Sequence, residues 1–190
     1  MAAGAAYPLR FDVDYPERLS RWLIFVKWLL VFPHYIVLML YGIAYFVTLI
    51  IAWFAILFTG RYPRGLFNFA VGLLRWSARV TVYAYLMRDE YPPFSTGGDY
   101  PARLEVDYPE RLSRWKIFVK WLLIIPHLII LYGYGILASA IMFLSFFIIL
   151  FTGRYPKALF DLVVGYYRWN NRVDAYVLLL TDDYPPFTNA

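Results

Sequence analysis

The residues of this chain best suited to chemistry are two histidines, two lysines and a few arginines, and each of them occurs twice at the same spacing. His34 and His127 each follow a proline inside an otherwise apolar run. A neutral imidazole in that setting is a candidate axial ligand for haem or a chlorin; its plainer role is to bond a carbonyl that the proline leaves free. Lys27 lies seven residues before His34, and Lys120 seven before His127, so each pair would share one helix face two turns apart. Ser20 and Ser113 lie a further seven back. Such a stripe reads either as a polar path for protons or ions, or as lysines that snorkel to headgroups. Arg75, Trp76 and Arg79, repeated as Arg168, Trp169 and Arg172, suit lipid phosphates or the acidic blocks DEYPPF and DDYPPF.

Catalytic signatures are missing. There is no P-loop, HExxH, nucleophile elbow or dinucleotide glycine fingerprint, so no enzyme is expected and no metal site is proposed. The chain has no cysteine, which excludes disulfides, thiolate metal sites and a cysteine nucleophile.

The elements that must position these residues are set by composition. Hydrophobic residues make up 62% of the chain and charged residues 16%, against roughly a quarter charged in a soluble domain, so the expected solvent is lipid. The formal net charge of +5 points to a face touching anionic lipid; no motif combining stacking and basic residues suggests nucleic acid. The opening MAAGAAYPLR lacks a signal-peptide layout, so the first apolar segment is expected to direct insertion itself.

Shifting the sequence by 93 positions aligns residues 7–95 with 100–188 without a gap, and 51 of these 89 positions are identical. The chain is therefore two tandem copies joined near Gly97. Each copy opens with an alternating stretch, Leu9, Phe11 and Val13 in one and Leu104 and Val106 in the other, which predicts short half-buried strands that pair with each other or with another protomer. Asp14-Tyr15-Pro16-Glu17 and its repeat at Asp107 predict a helix start. From Trp28 to Gly60 and from Trp121 to Gly153 there is no Asp, Glu, Lys or Arg. As one straight helix each stretch would be about 50 Å long, against a hydrocarbon core of about 30 Å, which predicts a membrane hairpin turning at Tyr41-Gly42 and Tyr134-Gly135. A shallower re-entrant insertion is the alternative. The third element, residues 66–87 and 159–180, carries Arg64, Asn68, Arg75 and Arg79, or Lys157, Asp161, Arg168 and Arg172, along one side and predicts an amphipathic helix in the interface.

The blocks YPERLSRW, FTGRYPRGLF and DEYPPF resemble a bacterial membrane family catalogued only as domain of unknown function 4389. The resemblance covers nearly the whole chain, twice. It implies a bacterial origin and a membrane location, carries no activity, and suggests that a fused second copy replaces a homodimer of single units.

The expected architecture is thus an all-α integral membrane duplicate, each copy a short strand, a helical hairpin and an interfacial helix. Its expected place is the bacterial cytoplasmic membrane, with termini and linker cytoplasmic by the positive-inside rule. Arg61, Tyr62, Arg154 and Tyr155 in the GRYP turns join the Arg-Trp pairs as expected contacts to headgroups or partners. The leading functional expectation is a scaffold or accessory subunit that binds anionic lipid and other membrane subunits or itself. The rivals are a small channel or transporter along the Ser-Lys-His stripe and a haem- or chlorin-binding subunit. Equal orientation of the copies predicts a pseudo-dimer with Pro33, Gly42, Pro126 and Gly135 at its centre.

Overall fold

The computed structural model describes residues 7–189; the opening MAAGAA lies outside the described residues. The chain forms β1 (Leu9–Val13), a short 3-10 turn (Leu23–Phe25), α1 (Lys27–Thr59), α2 (Arg64–Ala84), β2 (Ala102–Val106), α3 (Lys116–Leu123), α4 (Ile125–Thr152) and α5 (Lys157–Val177). The two strands pair antiparallel with Leu9 opposite Val106, Phe11 opposite Leu104 and Val13 opposite Ala102. Leu9, Phe11 and Val13 are equivalent to Ala102, Leu104 and Val106 under the shift of 93, so the register is symmetric about Phe11 and Leu104. The ribbon is the local twofold of the duplicate.

A two-stranded ribbon is marginal alone, and here each strand is held by the helix of the other copy. Arg168 of α5 donates from Nε to the Phe11 carbonyl at 3.0 Å, and Arg75 of α2 does the same to Leu104 at 3.0 Å. The exchange continues along both arms. The Tyr15 hydroxyl donates to the Tyr155 carbonyl, and Tyr108 to Tyr62. The Leu19 N–H bonds the Gly153 carbonyl at 2.9 Å, and Leu112 bonds Gly60 at 2.8 Å. These tertiary bonds override the predicted helix start: residues 14–21 stay non-helical, and Asp14 forms an ion pair with Arg103 in place of capping a helix.

The predicted hairpin does not form. α1 is one helix of 33 residues that runs through Tyr41-Gly42 with Pro33 inside it, and α4 runs unbroken through Tyr134-Gly135. Gly in mid-helix costs only about 1 kcal/mol, far less than breaking several backbone hydrogen bonds in an apolar setting. The real reversals come at Gly60 and Gly153, both left-handed at φ 69°, followed by Arg-Tyr-Pro. Of the prolines, Pro126 interrupts its helix, since α3 ends at Leu123 and α4 starts at Ile125, whereas Pro33 does not. Gly42 and Gly135 are also not at the contact between copies: nothing lies within 4 Å of a Cβ built on Gly42, and Gly135 faces Tyr166 of its own copy.

The layering follows from the faces of α2. Trp76, Val80 and Tyr83 pack on Val31 of α1, while Phe67, Val71, Ala78 and Val82 join the strand residues in the main core. At 100° per residue these two sets lie roughly half a turn apart. α2 is therefore sandwiched between α1 and the ribbon side of the core. The same holds for α5, where Trp169, Val173 and Tyr176 face Leu131 of α4. The order is charged ribbon, then α2 and α5, then α1 and α4.

Because each arm docks on the other copy, halves separated between Gly97 and Gly98 and expressed together should co-purify as one complex. Neither half expressed alone should stay monodisperse as a monomer; a stable monomeric half by size-exclusion chromatography would show that the exchange is dispensable.

Candidate functional site

After α2 the chain turns through Leu86, a left-handed residue at φ 61°, and copy two does so at Leu179, φ 64°. Such a conformation costs about 1–3 kcal/mol for a residue other than glycine, and the burial of both leucines in the core holds it. The Met87 N–H returns to the Val82 carbonyl at 3.0 Å, and Leu180 to Ala175 at 2.9 Å. This turn sends the DEYPPF and DDYPPF blocks back across the start of the long helices.

Two buried polar centres result. Lys27, 1% exposed, places Nζ 2.8 Å from Asp89 Oδ1, donates to the Arg88 carbonyl at 2.6 Å and lies 4.9 Å from the centre of the Tyr83 ring. Lys120 repeats this with Asp182 at 2.8 Å, the Thr181 carbonyl at 2.7 Å and Tyr176 at 4.9 Å. The carboxylate contact is an ion pair with poor hydrogen-bond angles, and the directed bond goes to the carbonyl. The other oxygen of Asp89 accepts the Ser20 N–H at 2.6 Å. These lysines do not snorkel to the surface, and they are not free to line a path.

The histidines form separate aromatic boxes. His34 Nδ1 accepts the Trp76 indole N–H at 3.2 Å, and His127 accepts that of Trp169 at 3.0 Å. Phe94 stacks on His34 at 3.8 Å and Phe187 on His127 at 3.9 Å, and both imidazoles have no exposed surface. Because Nδ1 accepts, the neutral ring carries its proton on Nε2, and with both imidazoles fully buried neither presents a free lone pair to a haem or chlorin metal. Among the described residues, no group of three His, Asp or Glu side chains has the proximity a metal needs.

The other expected contact residues divide by exposure. Arg61 and Arg154 are exposed. Tyr62 and Tyr155 are fully buried, and burial pushes the Tyr62 hydroxyl up to about 12, so neither anchors in a headgroup belt. Trp76 and Trp169 are turned inward to the histidines. Arg79 grips the Gly97 and Gly98 carbonyls at 2.6 Å each, Arg75 the Thr96 carbonyl at 3.1 Å, and Arg168 the Asn189 carbonyl at 3.1 Å. Arg172 lies over the Tyr7 ring, 5.6 Å from its centre. Headgroups would have to displace protein carbonyls to reach Arg75, Arg79 and Arg168, and the Tyr7 ring to reach Arg172. Sequence reasoning missed Asp89, Asp182, Phe94 and Phe187, whose signal was present in the two DxYPPF blocks. The copies differ at one half-buried acid, Asp174 of α5, which replaces Thr81 of α2. Burial pushes its carboxyl up to about 6.

A family model described as Domain of unknown function (DUF4389) matches residues 21–96 and again 114–189. No curated protein and no solved structure matches the chain.

Asp89→Asn should destabilise the protein by about 3 kcal/mol, because it strands a buried ammonium, and adding Lys27→Met should recover most of the loss. Thermal unfolding of both variants in one detergent measures this; additive losses would refute the pairing. Asp174→Asn should stabilise at neutral pH. The folded pKa of Asp174 is raised, from 3.8 to about 6, so its charge opposes folding increasingly as pH rises from about 4 to above 6. A melting temperature that rises with the substitution at pH 7.5 but not at pH 4 is the expected outcome.

Proposed function

The chain belongs, as a tandem duplicate, to the DUF4389 family, and from that premise we propose a non-catalytic membrane scaffold or accessory subunit held in the bilayer by α1 and α4. The observation that carries the reading is the outward faces of these two helices. Trp28, Phe32, Met39, Phe46, Phe54 and Phe58 along α1 are all exposed, as are Trp121 of α3 and Ile129, Tyr132, Phe143 and Phe151 of α4 in the second copy. α1, and α3 with α4 as one stretch from Lys116 to Thr152, are long and apolar enough to cross a membrane. An apolar surface of that extent marks a membrane or protein contact.

The layering favours a particular placement. α1 is buried on one side from Lys27 to Ile56, along nearly its whole length, by α2 and the core, and α2 carries the ribbon on its opposite side. The ribbon exposes Arg10, Asp12, Asp14, Arg103, Glu105 and Asp107. Standing α1 upright across the bilayer would carry this charged layer into hydrocarbon, where even ion-paired side chains lose the water that solvates them at a cost their attraction does not recover. Laying α1 and α4 along the interface, with their outer faces in the acyl region and the ribbon in water, avoids that cost. The chain then enters from one side, the cytoplasmic one by the positive-inside rule, with termini and linker on that side. The buried lysines and boxed histidines give this body a fixed shape, as a scaffold for other membrane subunits or for a second copy requires.

Single cysteines at Gly97, Ile43 and Thr59, tested with a membrane-impermeant thiol reagent on intact cells, check the placement. All three should stay unlabelled until the cells are opened, and the protein should remain in the membrane pellet after carbonate washing. Labelling of Thr59 from outside would establish a crossing helix, and release by carbonate would remove the membrane reading.

A further inference from the structure

Six guanidiniums remain when the charges of the molecule are paired. The other twelve lysines and arginines each have a partner: seven are in ion pairs, three hold backbone carbonyls and two lie over tyrosine rings. Arg18, Arg21, Arg61, Arg111, Arg114 and Arg154 have no side-chain hydrogen bond, ion pair or ring contact among the described residues. The acids next to them in sequence, Glu17 and Glu110, point to solvent without pairing with them.

These six are gathered by the arm exchange into two sets. Arg18 and Arg21 meet Arg154 in an open cleft of about 440 Å³, and Arg111 and Arg114 meet Arg61 in its counterpart of about 460 Å³. Each cleft lies where one copy's arm crosses the end of the other copy's long helix, fixed by the Leu19–Gly153 and Leu112–Gly60 backbone bonds. The glycines are needed for their left-handed φ, and they lie against the arginines: a Cβ on Gly153 would stand 3.4 Å from Arg21 Nε, and one on Gly60 3.6 Å from Arg114 Nε, both ordinary contact distances. A helix C-terminus offsets about half a unit of positive charge, which leaves more than two units in each cleft without a counter-ion. By contrast, a cleft of about 520 Å³ beneath the linker mixes acids with arginines that already hold carbonyls.

The rim identifies the kind of anion. Trp22 and Trp115 are 80% and 81% exposed beside the two clefts, and Phe58 and Phe151 stand exposed in the last turns of α1 and α4. Guanidinium forks match phosphate oxygens, and exposed indole and phenyl rings match the acyl and glycerol region beside a headgroup. We propose that each cleft binds the phosphate of an anionic phospholipid, giving two lipid sites per chain, each shared between the copies. This rests on the membrane placement above.

The test uses the full chain in zwitterionic detergent, with phosphatidylglycerol or phosphatidylcholine added and bound lipid counted by native mass spectrometry. Two phosphatidylglycerols should be retained, with at least tenfold preference over phosphatidylcholine. Arg18→Gln with Arg21→Gln should leave one, as should Arg154→Gln alone, a loop substitution that spares the arm. Combining Arg154→Gln with Arg61→Gln should leave none, and Arg154→Lys should retain partial binding. Equal retention of the two lipids, or two phosphatidylglycerols still held by the Arg61 and Arg154 double variant, would overturn the proposal. Displacement of the lipid by an equal concentration of inorganic phosphate or heparin would overturn the lipid source in favour of a soluble anion. The two readings fail differently: release by carbonate removes the membrane placement, whereas a carbonate-resistant protein without headgroup preference removes only these sites.

Discussion

Each copy of the repeat is incomplete without the arm of the other, and this reciprocal exchange is the constraint on which the rest of the structure depends. The strands bury Leu9, Phe11, Val13 and Leu104 almost completely, at about 1.5–3 kcal/mol for each large side chain. The hydrogen bonds that accompany them contribute about 1 kcal/mol each, so apolar burial drives the docking and the bonds set its register. The consequence is that the sequence repeat and the packed unit are different objects. A cleft that contains Arg18 and Arg154 exists only because copy one's arm ends on copy two's helix.

The buried polar groups have a different role. An ion pair such as Lys27 with Asp89 contributes little net stability over an apolar pair, because desolvating two charges offsets most of their attraction. What it adds is selectivity of register. A shift of α1 by one turn against α2 would leave the ammonium without its carboxylate and the His34 acceptor without the Trp76 N–H. The left-handed leucines at Leu86 and Leu179 belong to the same arrangement, since without that turn Asp89 and Asp182 would not come back to the lysines.

Charge segregation then gives the molecule its direction. The ribbon keeps its acids and bases in exposed cross-strand pairs such as Arg10 with Asp107, α2 and α5 turn Arg75 and Arg168 toward arm carbonyls, and α1 and α4 show no charged side chain outward. The arginines that remain unpaired sit where the apolar layer ends. In the proposed placement, that is the level at which a bilayer changes from acyl chains to phosphates.

Much of this was legible in the amino-acid sequence. The duplication, the linker, two uncharged stretches too apolar for water, two short strands and a third helix with a polar stripe all follow from periodicity and composition, which are local properties. The hairpin at Tyr-Gly, the helix start at Asp-Tyr-Pro-Glu and the surface roles given to Tyr62 and Trp76 were misread for one shared reason. Local propensities there are worth about 1 kcal/mol, and contacts between segments distant in the chain outweigh them. Only the tertiary structure decided that the arms cross between copies, because two near-identical docking surfaces leave the sequence with no preference between an arm's own copy and its neighbour. It also decided which cations are paired. Lys27 and Arg18 look alike as basic residues beside an apolar stretch, and what separates them is whether the chain, on returning from α2, brings an aspartate within reach.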